Sequence, residues 1–107
     1  MYIERVVTKL GHTVLGTLKN GSHAIKMVKR FDNIDLIIMD INLKGELNGI
    51  QTMKEIRKFS NLKLIYTSGY GLDKVKKLAV KTNYSAFLMK PIKPEDLRDA
   101  INESFQN

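Results

Sequence analysis

The chain has 107 residues, 43% apolar and 27% charged, with a formal net charge of +7. That describes one domain, large enough for a hydrophobic core. The absence of cysteine excludes a disulfide framework and a thiolate metal centre. No apolar run approaches the ~20 residues that cross a bilayer, and no signal-type stretch opens the chain, so the reading is a cytoplasmic protein without membrane contact.

Ile3, Val6, Val7 and Leu10 recur at helical spacing, and Gly11 follows as a C′ glycine. Thr13–Thr17 is a short β-branched segment that reads as a strand. Asn20-Gly21 turns the chain, and Ser22 can cap a helix with Ala24, Ile25, Val28 and Phe31 on one side. Leu36-Ile37-Ile38-Met39 is an unbroken apolar run, read as a strand buried on both faces. Asn48 can cap a helix whose Ile50, Met53, Ile56 and Phe59 face inward. Leu62–Thr67 is a strand, Leu72–Thr82 a helix, and Ser85–Met89 a strand. Pro94 starts a final helix with Leu97, Ala100, Ile101 and Phe105. Strands alternating with helices predict an α/β domain: a mostly parallel, doubly wound sheet with helices on both faces.

Three strand ends carry the candidate chemistry. The Leu36–Met39 run stops at Asp40, a carboxylate that either caps the following loop or reacts. The next strand ends at Thr67-Ser68 and the last at Lys90-Pro91. In a parallel sheet these ends share one edge, where open α/β folds keep their ligand sites. A carboxylate, a hydroxyl and an ammonium converging there suit phosphoryl transfer to a carboxylate. Asp40 would be the nucleophile, with Lys90 and Thr67 holding the phosphoryl oxygens.

The segments IIMDINLKGELNGIQTMKEIR, LIYTSGYG and AFLMKPI, together with LGHTVLGTLKNGSHAI, resemble the receiver domain of two-component response regulators over almost the whole chain. The resemblance implies that Asp40 is the phosphoacceptor, phosphorylated by a histidine kinase, with Mg²⁺ as cofactor. It implies that Asn42 offers its backbone carbonyl to the metal, that Thr67 is the switch hydroxyl and that Lys90 binds phosphate. Phe87 falls at the family's aromatic switch position, and the bond before Pro91 is expected to be cis.

One departure stands beside that match. Receivers begin with a buried strand ending in two acidic residues that bind Mg²⁺, whereas Met1 here falls inside what resembles the first helix. Glu4 is the nearest carboxylate, but its spacing places it on a helix. Asp40 alone would hold Mg²⁺ weakly, so poor phosphoacceptance is expected. In the family the missing strand is central, so the expectation is four strands, rearranged or intertwined in a dimer.

Lys74, Lys76, Lys77 and Lys81 make helix 72–82 basic, while Glu95, Asp96, Asp99 and Glu103 make helix 94–105 acidic. Such patches suit a homodimer interface, or are simply solvated faces. His12 and His23 have no ligand-like spacing, and Gly69 and Gly71 form no phosphate-binding fingerprint. Nucleic acid is not expected as a partner, because the basic run lacks interleaved aromatics. The expected function is therefore phosphorelay signalling by a receiver without an output domain and without further enzyme activity. The alternative is a degenerate receiver acting as a phosphorylation-independent binding or dimerisation module.

Overall fold

Three of the apolar runs pair into a parallel sheet in the computed structural model, which describes residues 2–42, 48–69 and 72–106, with the backbone alone for 72–75. The elements are α1 (Tyr2–Lys9), α2 (Gly21–Arg30), β1 (Leu36–Asp40), α3 (Gly49–Ile56), β2 (Lys63–Ser68), α4 (Leu72–Ala79), a 3-10 turn (Val80–Thr82), β3 (Ala86–Met89) and α5 (Pro94–Ser104). Among the described residues the strand order is β1-β2-β3, all parallel. The parallel α/β architecture is the one expected.

The strand count differs. Thr13–Thr17 runs without a ladder, so the described sheet has three strands where four were expected. β-branched residues favour extended backbone, but a strand needs a hydrogen-bonded neighbour, and among the described residues this segment makes no backbone–backbone hydrogen bond. The centre of the sheet moves accordingly. Leu64, Ile65 and Tyr66 of β2 are fully buried. Leu36, Ile37 and Ile38 of β1, expected to be buried on both faces, are half-buried because, among the described residues, β1 is an edge of the sheet.

Two apolar layers flank the sheet. On one face Ala24 and Val28 of α2 pack with Met53 and Ile56 of α3 against Met39, Leu64 and Tyr66. On the other, Leu97, Ala100 and Ile101 of α5 pack with Ile65, and Ile3, Val6 and Val7 of α1 lie against that cluster. Odd and even positions of each strand thus serve different layers, as strand pleating requires.

Helix ends follow local chemistry. Asn48 and Gln51 form a reciprocal capping box at α3. Asn20, not Ser22, caps α2: its side chain accepts from the His23 backbone N–H at 2.9 Å, so the helix begins at Gly21. Gly11 has φ +94°, which an L side chain rarely adopts, and it stops α1 as expected. Phe59 and Phe31, expected on inward faces, are exposed because each lies just past its helix, where the periodicity ends. Lys76, Lys77 and Lys81 are exposed, whereas the Lys74 and Asp73 side chains, Tyr70 and Gly71 lie outside the described residues. No described helix is long and apolar enough to cross a membrane.

Candidate functional site

Asp40 ends β1 opposite Thr67 of β2, and Thr67 lies opposite Leu88 of β3. Lys90 follows β3, where its backbone N–H donates to the Ser68 carbonyl at 2.8 Å. The sheet register therefore delivers all three candidate residues to one edge. The Lys90 ammonium reaches back to the carboxylate, with Nζ 2.5 Å from Asp40 Oδ2. The Lys90 and Asp40 side chains are 42% and 32% exposed, so water screens the pair and it contributes little to stability. Accessibility also leaves the carboxylate open to a reactant. Thr67, its register partner on β2, is buried.

The other carboxylate oxygen, Oδ1, accepts the Asn42 N–H at 2.8 Å. Asp40 thus caps its loop and faces a cation at once, so the two readings of this residue are not exclusive. The Asn42 side chain has its own task. Its Oδ1 accepts from Ser68 Oγ at 3.3 Å and from the Gly69 N–H at 3.4 Å, tying the loop after β1 to the end of β2. The sequence reading assigned only the backbone carbonyl of Asn42 and missed this role. Gly49 was missed too. A Cβ there would fall 2.8 Å from Ile41 Cα and closer still to the Asp40 carbonyl oxygen, so α3 starts against the carboxylate-bearing strand only because that residue is glycine.

Phe87 sits on β3, two strands from Asp40, half-buried between Tyr66 and Tyr84, with ring centroids 6.0 and 5.8 Å distant. Lys76 Nζ lies 5.5 Å from the Phe87 centroid. Behind it, the Tyr66 hydroxyl and Thr82 Oγ1 are 2.7 Å apart, and the Thr82 hydroxyl donates to the Ala79 carbonyl at 2.6 Å. Since Thr82 spends its one proton on Ala79, Tyr66 is the donor of the first bond. Burial pushes the Tyr66 phenol up to about 12. Arg57 closes this end of the core. Its guanidinium donates to the carbonyls of Leu62, Thr82, Asn83 and Ser60 at 2.6, 2.7, 3.2 and 3.3 Å, and burial lowers its pKa. The Lys90–Pro91 peptide is cis.

The donors described do not fit Mg²⁺. Asp40 supplies one carboxylate, its oxygens already bonded to Lys90 and the Asn42 N–H, and the described residues hold no cluster of three acidic or histidine side chains. Glu4 accepts from Thr17 Oγ1 at 3.3 Å instead. Mg²⁺ asks for near-octahedral oxygen ligation.

The family model for the response regulator receiver domain matches residues 1–102. The chain belongs to the response regulator receiver family. It is 34% identical over 104 residues to the chemotaxis protein CheY of Thermotoga maritima, covering 96% of this chain and 85% of that protein. It is 32% identical over 95 residues to the nitrate/nitrite response regulator NarL of Escherichia coli, covering 86% of this chain but 42% of NarL. A response regulator receiver domain protein from Clostridium thermocellum superposes with a TM-score of 0.86 at 28% identity, covering 96% of this chain and 82% of that one. The receiver thus spans most of CheY and under half of NarL.

Proposed function

We propose that this receiver works in two-component signalling by accepting a phosphoryl group on Asp40 from a histidine kinase. An Asp40 oxygen attacks phosphorus, a P–O bond forms, the P–N bond of the phosphohistidine breaks, and the imidazole leaves after taking a proton. Lys90 exchanges its carboxylate partner for the incoming phosphoryl oxygens, and the Thr67 hydroxyl donates to one of them. The observation that carries the reading is the Lys90–Asp40 pair at the sheet edge, 2.5 Å long yet open to solvent. Thr67 and Phe87, on adjacent strands, would then bias a two-state surface read by a protein partner.

The donor set makes acceptance slow. One carboxylate and one ammonium neutralise the developing charge less than a site that also fits a divalent cation.

Incubation with phosphoramidate, with and without Mg²⁺, followed by intact mass measurement tests the proposal. The expected result is slow addition of one phosphoryl group, absent in Asp40→Asn. An adduct that persists in Asp40→Asn, or none in the parent protein after prolonged incubation, would overturn it.

A further inference from the structure

A cleft of about 750 Å³ opens between the C-terminal ends of α2 and α3. It lies where β1 and β2 begin, at the end of the sheet away from Asp40 and Thr67. Val28 and Leu62, both buried, and the half-buried Ile34 form its floor. Two aromatic rings line it as well. Phe31, the C-cap of α2, is 42% exposed, and Phe59, in the turn after α3, is 43% exposed. A cation covers one face of each ring. Lys29 reaches from α2 to place Nζ 5.3 Å from the Phe59 centroid, and Arg30 Cζ is 5.7 Å from the Phe31 centroid. α2 carries no acid, and Lys58 after α3 and Lys63 at the start of β2 add positive charge. Against them stand Glu55, paired with Lys58 at 2.7 Å, and the exposed Asp32 and Asp35. Asp32 lines the cleft.

We infer that this cleft docks an acidic segment of a protein partner through one tryptophan or tyrosine side chain. An apolar floor beside two exposed rings is what an aromatic anchor needs, and rings meet favourably edge to face. Asp32 accepts the anchor's indole N–H or phenol O–H, the one polar group such a side chain must satisfy when buried. Lys29, Arg30 and Lys58 meet carboxylates on the flanking residues. A single-stranded nucleic acid fits less well. Its bases stack on open ring faces, whereas here a cation covers one face of each ring, the floor is aliphatic and Asp32 repels phosphate. The inference does not rest on phosphoryl acceptance by Asp40, which ends β1 on the far side of the sheet's length.

The probe is a fluorescein-labelled synthetic peptide with one tryptophan between two runs of glutamate, titrated against the whole chain by anisotropy. Amide shifts are followed by NMR in parallel. Saturable binding is expected, with shifts at Phe31, Asp32, Ser60, Asn61 and Leu62. Replacing the tryptophan by alanine, at equal charge, should weaken binding at least about tenfold. Phe59→Ala and Lys29→Glu should each weaken the tryptophan peptide by a similar factor while keeping the parent's amide spectrum outside the cleft. Asp40→Asn, expected to lose phosphoryl acceptance, should bind the peptide as the parent protein does. Absence of binding, equal binding of the alanine peptide, or shifts confined to other residues overturns the inference. Displacement of the peptide by an oligothymidine that shifts the same amides at lower concentration overturns it in favour of nucleic acid. Shifts at those amides that grow with protein concentration in the absence of peptide overturn it in favour of a second copy.

Discussion

Replacing Tyr66 with Phe removes one hydroxyl from the core and leaves the rings of Tyr84 and Phe87 in place. Tyr66 is fully buried, and its hydroxyl donates to Thr82 Oγ1 at 2.7 Å. At neutral pH the loss of that bond should cost about 1 kcal/mol. In alkali the sign reverses. A phenol pKa raised by burial to about 12, against about 10 in the unfolded chain, means that the folded state holds its proton longer. Stability from this group is complete below pH ~10 and falls as pH rises through the interval to ~12. By pH ~11 the parent protein should have lost about 1.4 kcal/mol that Tyr66→Phe cannot lose. The two stability curves should therefore cross between pH ~10 and ~11. Urea midpoints measured for both proteins at half-unit steps from pH 7 upward test this, because titration of the lysines and of the other tyrosines is common to both. Curves that stay parallel throughout would refute the linkage argument and the buried hydroxyl on which it rests.

Two further substitutions examine the supports of the site. Arg57→Ala leaves the carbonyls of Leu62 and Thr82 without their guanidinium donors, and should lower unfolding free energy by roughly 2–4 kcal/mol. Arg57→Lys should recover only part, because an ammonium cannot span that fork of acceptors; full recovery in urea titration would contradict the geometry. Gly49→Ala drives a methyl group against the Ile41 Cα and Asp40 carbonyl backbone and should cost about 1–3 kcal/mol, with slower phosphoryl acceptance as β1 shifts. Thermal melts and acceptance rates equal to those of the parent would show that α3 is not packed as described.

Much of this architecture was legible in the sequence because periodicity and strand-end chemistry survive in one dimension. The Leu36–Met39 run, the Asn48 cap and the Pro94 helix start are local signals, and each element lies where its residues place it. Thr13–Thr17 shows the limit. Its β-branched residues select extended backbone, but whether extended chain becomes a strand depends on a neighbour that no local pattern encodes. The half-burial of β1 has the same origin, since an apolar run does not reveal whether it lies at the centre or the edge of a sheet. Asp40, Thr67 and Lys90 stood out because three parallel strands end at them. The Asn42 side chain and Gly49 did not, because their importance lies in contacts with Ser68, Gly69 and the backbone of β1. An asparagine two residues after the carboxylate, and a glycine at the first position of the next helix, were the only traces they left.

The central claim is that the carboxylate of Asp40 carries the phosphoryl group. An acyl phosphate is attacked by hydroxylamine at its carbonyl carbon, releasing phosphate and leaving a hydroxamate, whereas phosphoesters of Ser, Thr and Tyr do not react in this way. Peptide mapping after phosphorylation and hydroxylamine treatment reads the modified residue directly. The account predicts a hydroxamate on the peptide containing Asp40, and none in Asp40→Asn. A hydroxamate on any other carboxylate, or retained phosphate on His12, His23 or a hydroxyl residue with Asp40 unmodified, would contradict it.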